Sequence, residues 1–435
     1  MHVGIIGGGM LGLATAFYLS KEGIQVTILE KEKKIGGLSR SEEILPGINW
    51  DRFYHVILST DKELLEFINE IGLSFDVRFR ETKTGFYTDG KLYSLSNTLE
   101  FLKFPPLSFP DKIRLGAGIF YASKINNWKR LEKIYARNWL TRVFGQRNYE
   151  KIWDPLLRSK LGAAKEQASA AFIWAIIKRY YGTRHTTSKK EMMGCVSRGY
   201  HSILKQLGDH LSKNGVKILT GYDVNGILAT NSESIRVRSG DGQLLEFDCI
   251  IATAPNPVIM HLWPDMPPAF KSRLERVKYL SVICVVLVLK KSLTPFYVTN
   301  ITDSWLPFTG LIEASNVIPS EALGGKTLVY LPKWLPAGDS FYQKSNEEIS
   351  GIFVKALGRM FQNFSEDDII SRAVHRERYV QPIQEIGYSS QIASMKTPFK
   401  NFYMVNTTMI LNSTLNNNEV IRLARRAAEI VSKTD

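Results

Sequence analysis

No apolar run in this chain approaches the ~18 residues that a membrane-spanning helix needs. The longest, Tyr279 to Leu289, is closed by Lys290-Lys291 and reads as a buried strand. Cysteine is scarce: Cys195, Cys249 and Cys284 are the whole complement, and their spacing matches neither a disulfide framework nor a zinc site. That usage fits a reducing, cytoplasmic setting and leaves no metal expected. No basic leader precedes the first apolar segment, so no secretion signal is expected. No nucleic-acid module is recognisable, and no paired-carboxylate or nucleophilic triad can be assigned. With 435 residues, 44% hydrophobic and 23% charged, the composition is globular and the length exceeds one ordinary core, so two domains are expected.

The chain instead has a dense start. Val3-Gly4-Ile5-Ile6 reads as a strand that runs into Gly7-Gly8-Gly9-Met10-Leu11-Gly12, and Leu13 to Leu19 carries helical periodicity on small and apolar residues. Gly7 lets the chain leave the strand tightly, Gly9 lets a pyrophosphate meet bare backbone, and Gly12 lets the helix lie close to the sheet. The helix N-terminus offers free N–H groups and its positive dipole end to phosphates. A second strand, Gln25 to Leu29, ends in Glu30, placed to accept from ribose hydroxyls. Up to this point NAD and FAD remain open.

Next come Lys31-Glu32-Lys33-Lys34-Ile35-Gly36-Gly37-Leu38-Ser39-Arg40-Ser41, a glycine pair just after the acidic residue, with a hydroxyl and an arginine close behind. In this the segment resembles the flavin family that includes protoporphyrinogen oxidase, phytoene desaturase, monoamine oxidase and UDP-galactopyranose mutase. The resemblance implies a non-covalent FAD along Gly7, Gly9, Met10, Leu11, Gly12, Glu30, Lys31, Gly36, Gly37, Leu38, Ser39 and Arg40. It also implies that Val224, beyond the Gly215–Leu219 strand, meets the adenine, and that the turn at Ala254 passes near the dinucleotide. The tail, strand Asn401 to Thr408 and helix Glu419 to Val431, resembles the family's carboxy-terminal flavin motif. Here Asn406 and Asn418 stand where that motif usually has Gly-Asp and a glycine. His55, in an aromatic stretch that returns toward the flavin ring in such proteins, is the catalytic candidate, with a hydrogen-bonded core histidine as the alternative reading.

The fold implied is α/β: a Rossmann-like FAD-binding domain built from separated segments, with an inserted mixed helical and β-sheet substrate domain. Expected boundaries are 1–95, 195–278 and 386–435 for the FAD-binding segments, 96–194 for a mostly helical substrate- or membrane-facing segment, and 279–385 for the substrate-domain sheet and helix. Helical breaks are expected at Gly145, Asp154-Pro155 and Gly162, and Arg158 and Lys160 are substrate-facing if the stretch around Trp153 covers the cavity. Trp305, Tyr330 and Trp334 are cavity aromatics or core.

The net charge of +14 gathers between Lys112 and Lys190, including Lys129-Arg130, Lys133, Arg137, Arg142, Arg147, Lys151 and Lys189-Lys190. Interleaved Trp128, Trp139, Tyr149 and Trp153 suit an acidic membrane face. The same charges suit an anionic substrate or a solvated surface. The expected function is FAD-dependent oxidation of a hydrophobic or anionic small molecule, protoporphyrinogen-oxidase-like, by hydride removal from a C–H or C–N bond. A non-redox enzyme of the UDP-galactopyranose-mutase type, acting on a nucleotide sugar, and a non-catalytic relative are the alternatives. Oligomeric state is not legible.

Overall fold

The computed structural model describes residues 1–182, 191–229, 234–411 and 413–433; Arg184, Lys189 and Lys190 of the basic stretch lie outside them. The chain opens with β1 (His2–Ile6), α1 (Met10–Lys21) and β2 (Gln25–Glu30), then a small hairpin, β3 (Ser41–Leu45) and β4 (Ile48–Asp51), and α2 (Lys62–Glu70). A second hairpin, β5 (Thr84–Thr88) and β6 (Lys91–Ser94), leads into a helical stretch containing α3 (Thr98–Lys103), α4 (Phe109–Lys124), α5 (Asp154–Leu161) and α6 (Ala170–Gly182). Next come α7 (Tyr200–Lys213), β7 (Lys217–Thr220) and β8 (Cys249–Ala252). The second sheet is supplied by β9 (Tyr279–Leu289), β10 (Val298–Ile301), β11 (Gly310–Glu313), β12 (Thr327–Pro336) and β13 (Ile369–Pro382), with α8 (Asn346–Met360) between the last two. β14 (Phe402–Met404) and α9 (Asn417–Ser432) close the chain.

The first sheet has the order β7-β2-β1-β8-β14, all parallel. Three distant parts of the chain therefore make one sheet. The approach of α1 to it requires glycine at position 12, where a Cβ would stand 2.0 Å from the Gly7 carbonyl oxygen. α9 packs along α1, burying Ile421, Ala424 and Ala428 against the core that holds Leu13 and Phe17.

The second sheet has the order β13-β9-β12-β11-β10-β5-β6. All of β9 is buried because both faces are covered. Ile283, Val285 and Leu287 face Phe353 and Leu357 of α8, while Val282, Cys284 and Val286 face Trp50, Phe53 and Tyr330. β5 and β6 belong here through the parallel pairing of β5 with β10, so by sheet membership the chain leaves the nucleotide-binding half before Thr84 rather than at residue 95. Asp89 (φ 51) and Gly90 (φ 73) make the left-handed turn that the Asp-Gly pair calls for.

Three expectations are corrected. Asp154-Pro155 is no break: residues 146–161 stay helical, and the wide turn at Tyr149–Trp153 immediately before Pro155 is where the helix accommodates a residue without an N–H. The last strand is only Phe402–Met404, with Asn406 already in a loop. The four aromatics expected on a membrane face turn inward: Trp139 and Tyr149 are buried, and Trp128 and Trp153 are half-buried against the same helical core. What that stretch does expose is Phe109 (64%), Ile113 (55%) and Phe120 (55%) on one face of α4, with Leu99 and Leu102 on α3 beside it.

A polar cluster fastens the β3–β4 hairpin to β13. His375 Nδ1 lies 3.8 Å from Glu42, and Arg52 and Arg40 also reach Glu42. Burial lowers the His375 imidazole to about 4 from 6.5; Glu42 opposes the shift and Arg52 and Arg40 add to it. As pH falls from 6.5 toward about 4 the unfolded chain takes up a proton that the folded one refuses, so stability falls in that window. We expect urea titrations across it to show a loss on the order of 1–3 kcal/mol that His375→Gln abolishes.

Candidate functional site

Two glycine turns meet at the top of the first sheet. The Gly36 N–H donates to the Gly8 carbonyl at 2.8 Å, and Gly9 and Gly36 form a parallel bridge. Gly36 holds φ 120, and a Cβ on Gly37 would come within 3.2 Å of the Gly9 Cα. A side chain on Gly36 would instead collide with Leu204, at 2.6 Å from its Cδ1. α1 starts here with no side-chain cap on Gly9, while the Met10 and Leu11 side chains are buried in the core. What Gly9, Met10 and Leu11 present to a ligand is therefore backbone N–H, as an anion requires.

Glu30 stands at one end of this cradle, 8% exposed. Its Oε2 accepts from the Gly8 N–H at 2.6 Å and its Oε1 from the Glu32 N–H at 2.8 Å, which fixes the carboxylate while leaving lone pairs for hydroxyl donors. The Tyr222 and Gly221 N–H groups donate to the Glu30 and Glu32 carbonyls, and so bring Val224 alongside. Lys31 points to solvent.

At the other end, α9 points its first residues at the Gly36–Ser39 segment. Asn417 Nδ2 is 3.4 Å from the buried Ser39 Oγ, and the Asn417 side chain lies near enough to the Tyr200 hydroxyl to oppose the rise in its pKa. Asn418 faces elsewhere, its Oδ1 accepting from the Leu64 N–H of α2 at 3.2 Å. Asn406 is spent inside the protein: Nδ2 donates to the Ala254 carbonyl (2.9 Å) and Asn256 Oδ1 (3.0 Å), while Oδ1 accepts from the Thr408 N–H and Oγ1. It ties the turn after β8 to the turn after β14. Arg40 reaches Glu32 at 3.1 Å and Glu42 at 3.5 Å, with its buried Nε unpaired, and Leu38 is half-buried beside it.

From Asn417 the polar contacts continue toward the second sheet. The Tyr200 ring lies 4.6 Å from that of His55, whose Nδ1 is buried, 3.6 Å from Asp51 Oδ2 and without a hydrogen bond. Asp51 Oδ1 accepts from Ser41 Oγ (2.7 Å) and the Tyr200 N–H (3.1 Å), and its carbonyl accepts from the Tyr330 hydroxyl of β12 at 2.7 Å. Burial raises both tyrosines above the ordinary phenol range, so both hydroxyls stay protonated. Tyr54, His55 and Tyr200 from the nucleotide-binding half thus face Tyr297 and Tyr330 from the second sheet across a narrow cleft. Trp305 is not part of it; it lies on the far side, under Arg359 of α8. Among the described residues no group of His, Cys, Asp and Glu could hold a metal ion.

The model of the family described as flavin containing amine oxidoreductase matches residues 11–431. The chain belongs to that family. The chain is similar to a coproporphyrinogen III oxidase of Bacillus subtilis, 23% identical over 92% of this chain and 91% of that protein. A zeta-carotene desaturase of Synechocystis is 20% identical over 93% of this chain and 91% of its own. A crystal structure of an oxidoreductase from Methanosarcina mazei superposes over all of both chains with a TM-score of 0.76 at 18% identity, which speaks for the fold. The protein is accordingly a FAD-dependent oxidoreductase with the α/β architecture of its family. The glycine cradle with Glu30 at one end fits the diphosphate and ribose of that cofactor.

Asn417 and Tyr200 were missed by the sequence reading. Nothing in Asn416-Asn417-Asn418 alone says which of the three faces the cradle, because that depends on where the helix begins; the N-cap at Asn416, bonded to the Glu419 N–H at 3.1 Å, decides it.

Gly9 has an ordinary negative φ (−73), and the nearest atom to an added Cβ is the Gly37 Cα at 3.9 Å. Gly9→Ala is expected to leave the apoprotein melting temperature nearly unchanged while weakening FAD at least tenfold, as checked by thermal scans and by titration of flavin fluorescence. Glu30→Gln should weaken FAD by about 1–2 kcal/mol, since it replaces hydrogen bonds to a charged acceptor by neutral ones.

Proposed function

We propose that this enzyme oxidises a hydrophobic, anionic small molecule in the cleft between Tyr54, His55 and Tyr200 on one side and Tyr297 and Tyr330 on the other. The observation that carries the reading is continuity: the glycine cradle, Ser39, Asn417, Tyr200 and His55 form one unbroken line that ends at this aromatic cleft. FAD would lie along that line, its adenosine at Glu30 and Val224, its diphosphate over Gly9 and Gly36–Arg40, and its ring toward His55. Bound FAD supplies a hydride acceptor. The chain's own part is to exclude water with tyrosine rings, to orient the substrate between two protonated phenols, and to place the His55 imidazole beside Asp51 at the inner end of the cleft. Asn406 and Asn418 serve this site by fixing the loops and helix around it, and Ala254 through its carbonyl.

The substrate is delivered, in this proposal, from an acidic membrane surface. No helix among the described residues is long and apolar enough to cross a membrane. α4, however, lays Phe109, Ile113 and Phe120 open on one face, and Lys103, Lys124, Lys129 and Arg130 stand exposed around them. Apolar side chains ringed by cations match the headgroup layer of an anionic leaflet in depth and in charge.

Two measurements test this. Under anaerobic conditions, coproporphyrinogen III and zeta-carotene, the compounds in the names of two relatives, are offered to the FAD-loaded protein. Bleaching of the visible flavin band by the polycarboxylate supports the reading. Turnover that needs prior reduction and returns the flavin unchanged replaces it with mutase-type chemistry, and protein that stays colourless after FAD is supplied removes both. Second, sedimentation with phosphatidylserine vesicles should be salt-sensitive and fall at least tenfold in I113E/F120E, with an unchanged flavin spectrum; equal pelleting of variant and parent removes the membrane surface from the account.

A further inference from the structure

Asp51 closes β4, and His55 stands four residues further on. The segment is pinned on both sides: Asp51 pairs with Ser41 across the hairpin, and Ile57 and Leu58 pair with Gly194 and Met193. Phe53 is buried between them, so backbone pairing and packing together set the turn that brings Asp51 beside His55. α7 approaches the same point. Gly199 takes φ 71 just before it, which lets the Tyr200 N–H reach Asp51 and lays the Tyr200 ring against the imidazole.

The bonds by which Asp51 holds the seam leave half of its carboxylate unspent. Ser41 Oγ and the Tyr200 N–H both donate to Oδ1, and the Tyr330 hydroxyl donates to the main-chain carbonyl. Among the described residues Oδ2 accepts no hydrogen bond, and what faces it is His55 Nδ1 at 3.6 Å. That nitrogen is itself buried and unpaired. The two atoms stand a few tenths of an ångström beyond hydrogen-bond reach, and a small slide of the ring along Tyr200 joins them. The hydrogen of that bond sits on Nδ1, because a carboxylate can only accept. Nε2, on the opposite edge of the ring, is then the bare nitrogen of a residue that lines the cleft with Tyr54, Tyr200 and Tyr330.

We propose that Asp51 is a positioning residue for the oxidation: its Oδ2 holds His55 in the Nδ1–H form, so that Nε2 turns a lone pair into the cleft and takes a proton from the substrate. Oxidation removes two electrons and two hydrogens from the substrate. One hydrogen leaves a C–H bond as hydride, carrying both electrons of that bond to the bound cofactor. The other leaves a neighbouring N–H or C–H bond as a proton to Nε2, and the electrons of that bond become the new double bond of the product. The imidazolium so formed lies against the Asp51 carboxylate, which compensates its charge. Burial keeps the Tyr200 and Tyr330 hydroxyls and the Cys195 thiol of the same walls protonated, so none of the three is a base there. The inference rests on the oxidoreductase reading of the cleft, but its first test needs no substrate.

Nitrogen NMR of FAD-loaded protein with isotope-labelled histidine reads the tautomer directly, the His55 signal being assigned from its loss in His55→Gln. At a pH where the ring is neutral, the parent should carry its hydrogen on Nδ1 and show a pyridine-type Nε2. Asp51→Asn is the informative variant: its amide oxygen can keep Ser41 and Tyr200, which turns the amide N–H toward Nδ1 and drives the ring hydrogen to Nε2. With coproporphyrinogen III under anaerobic conditions, Asp51→Asn should slow flavin bleaching about a hundredfold while the half-saturating concentration stays within about threefold. A parent ring protonated at Nε2 overturns the proposal, as does an Asp51→Asn ring that keeps the parent tautomer, or bleaching of that variant at the parent rate. If the variant does not fold, the parent spectrum decides alone. A parent that takes up no FAD, or whose flavin no offered substrate bleaches, sinks the reading of the cleft instead, and the tautomer still judges the pairing of Asp51 with His55.

Discussion

The site depends on two backbone turns touching. The turn after β1 and the turn after β2 approach to hydrogen-bond distance, Gly36 N–H to Gly8 carbonyl, with Gly36 and Gly37 both at positive φ and no side chain on Gly37 to press on the Gly9 Cα. That contact sets the floor of the cradle. It fixes Glu30 through the Gly8 N–H, orients the start of α1, and presents Ser39 to the start of α9. The first and last helices thereby aim their N-termini at the same strip of backbone, which concentrates positive potential where a diphosphate would lie.

The second constraint is the seam between the two sheets. Asp51 gathers Ser41, Tyr200 and Tyr330 around one residue, so the nucleotide-binding half and the substrate sheet are held together at the far end of the cofactor line. A cleft made at such a seam draws its walls from both halves.

What was legible in the sequence was local. Gly7 to Glu30 is read correctly because strand, turn, helix and strand follow one another, and each residue type is dictated by its immediate neighbours. The three separated FAD segments came from resemblance, and the parallel order β7-β2-β1-β8-β14 is the physical reason they belong together. The rest was hidden for specific reasons. Asn417 could not be told from Asn418 without the helix start. The tryptophans of the basic stretch have the spacing of an exposed face and of a core face alike, and packing put them inside while leaving Phe109, Ile113 and Phe120 outside. The role of Asn406 depends on Ala254 and Asn256, about 150 residues away, which no local pattern reveals.

The central claim is that one cradle, assembled from both ends of the chain, holds the adenosine and diphosphate half of FAD. Calorimetric titration of apoprotein with FAD, repeated in the presence of saturating ADP and of FMN, tests it most directly. The account predicts one FAD per chain, displaced by ADP and little affected by FMN. Binding that FMN blocks and ADP leaves untouched would contradict it.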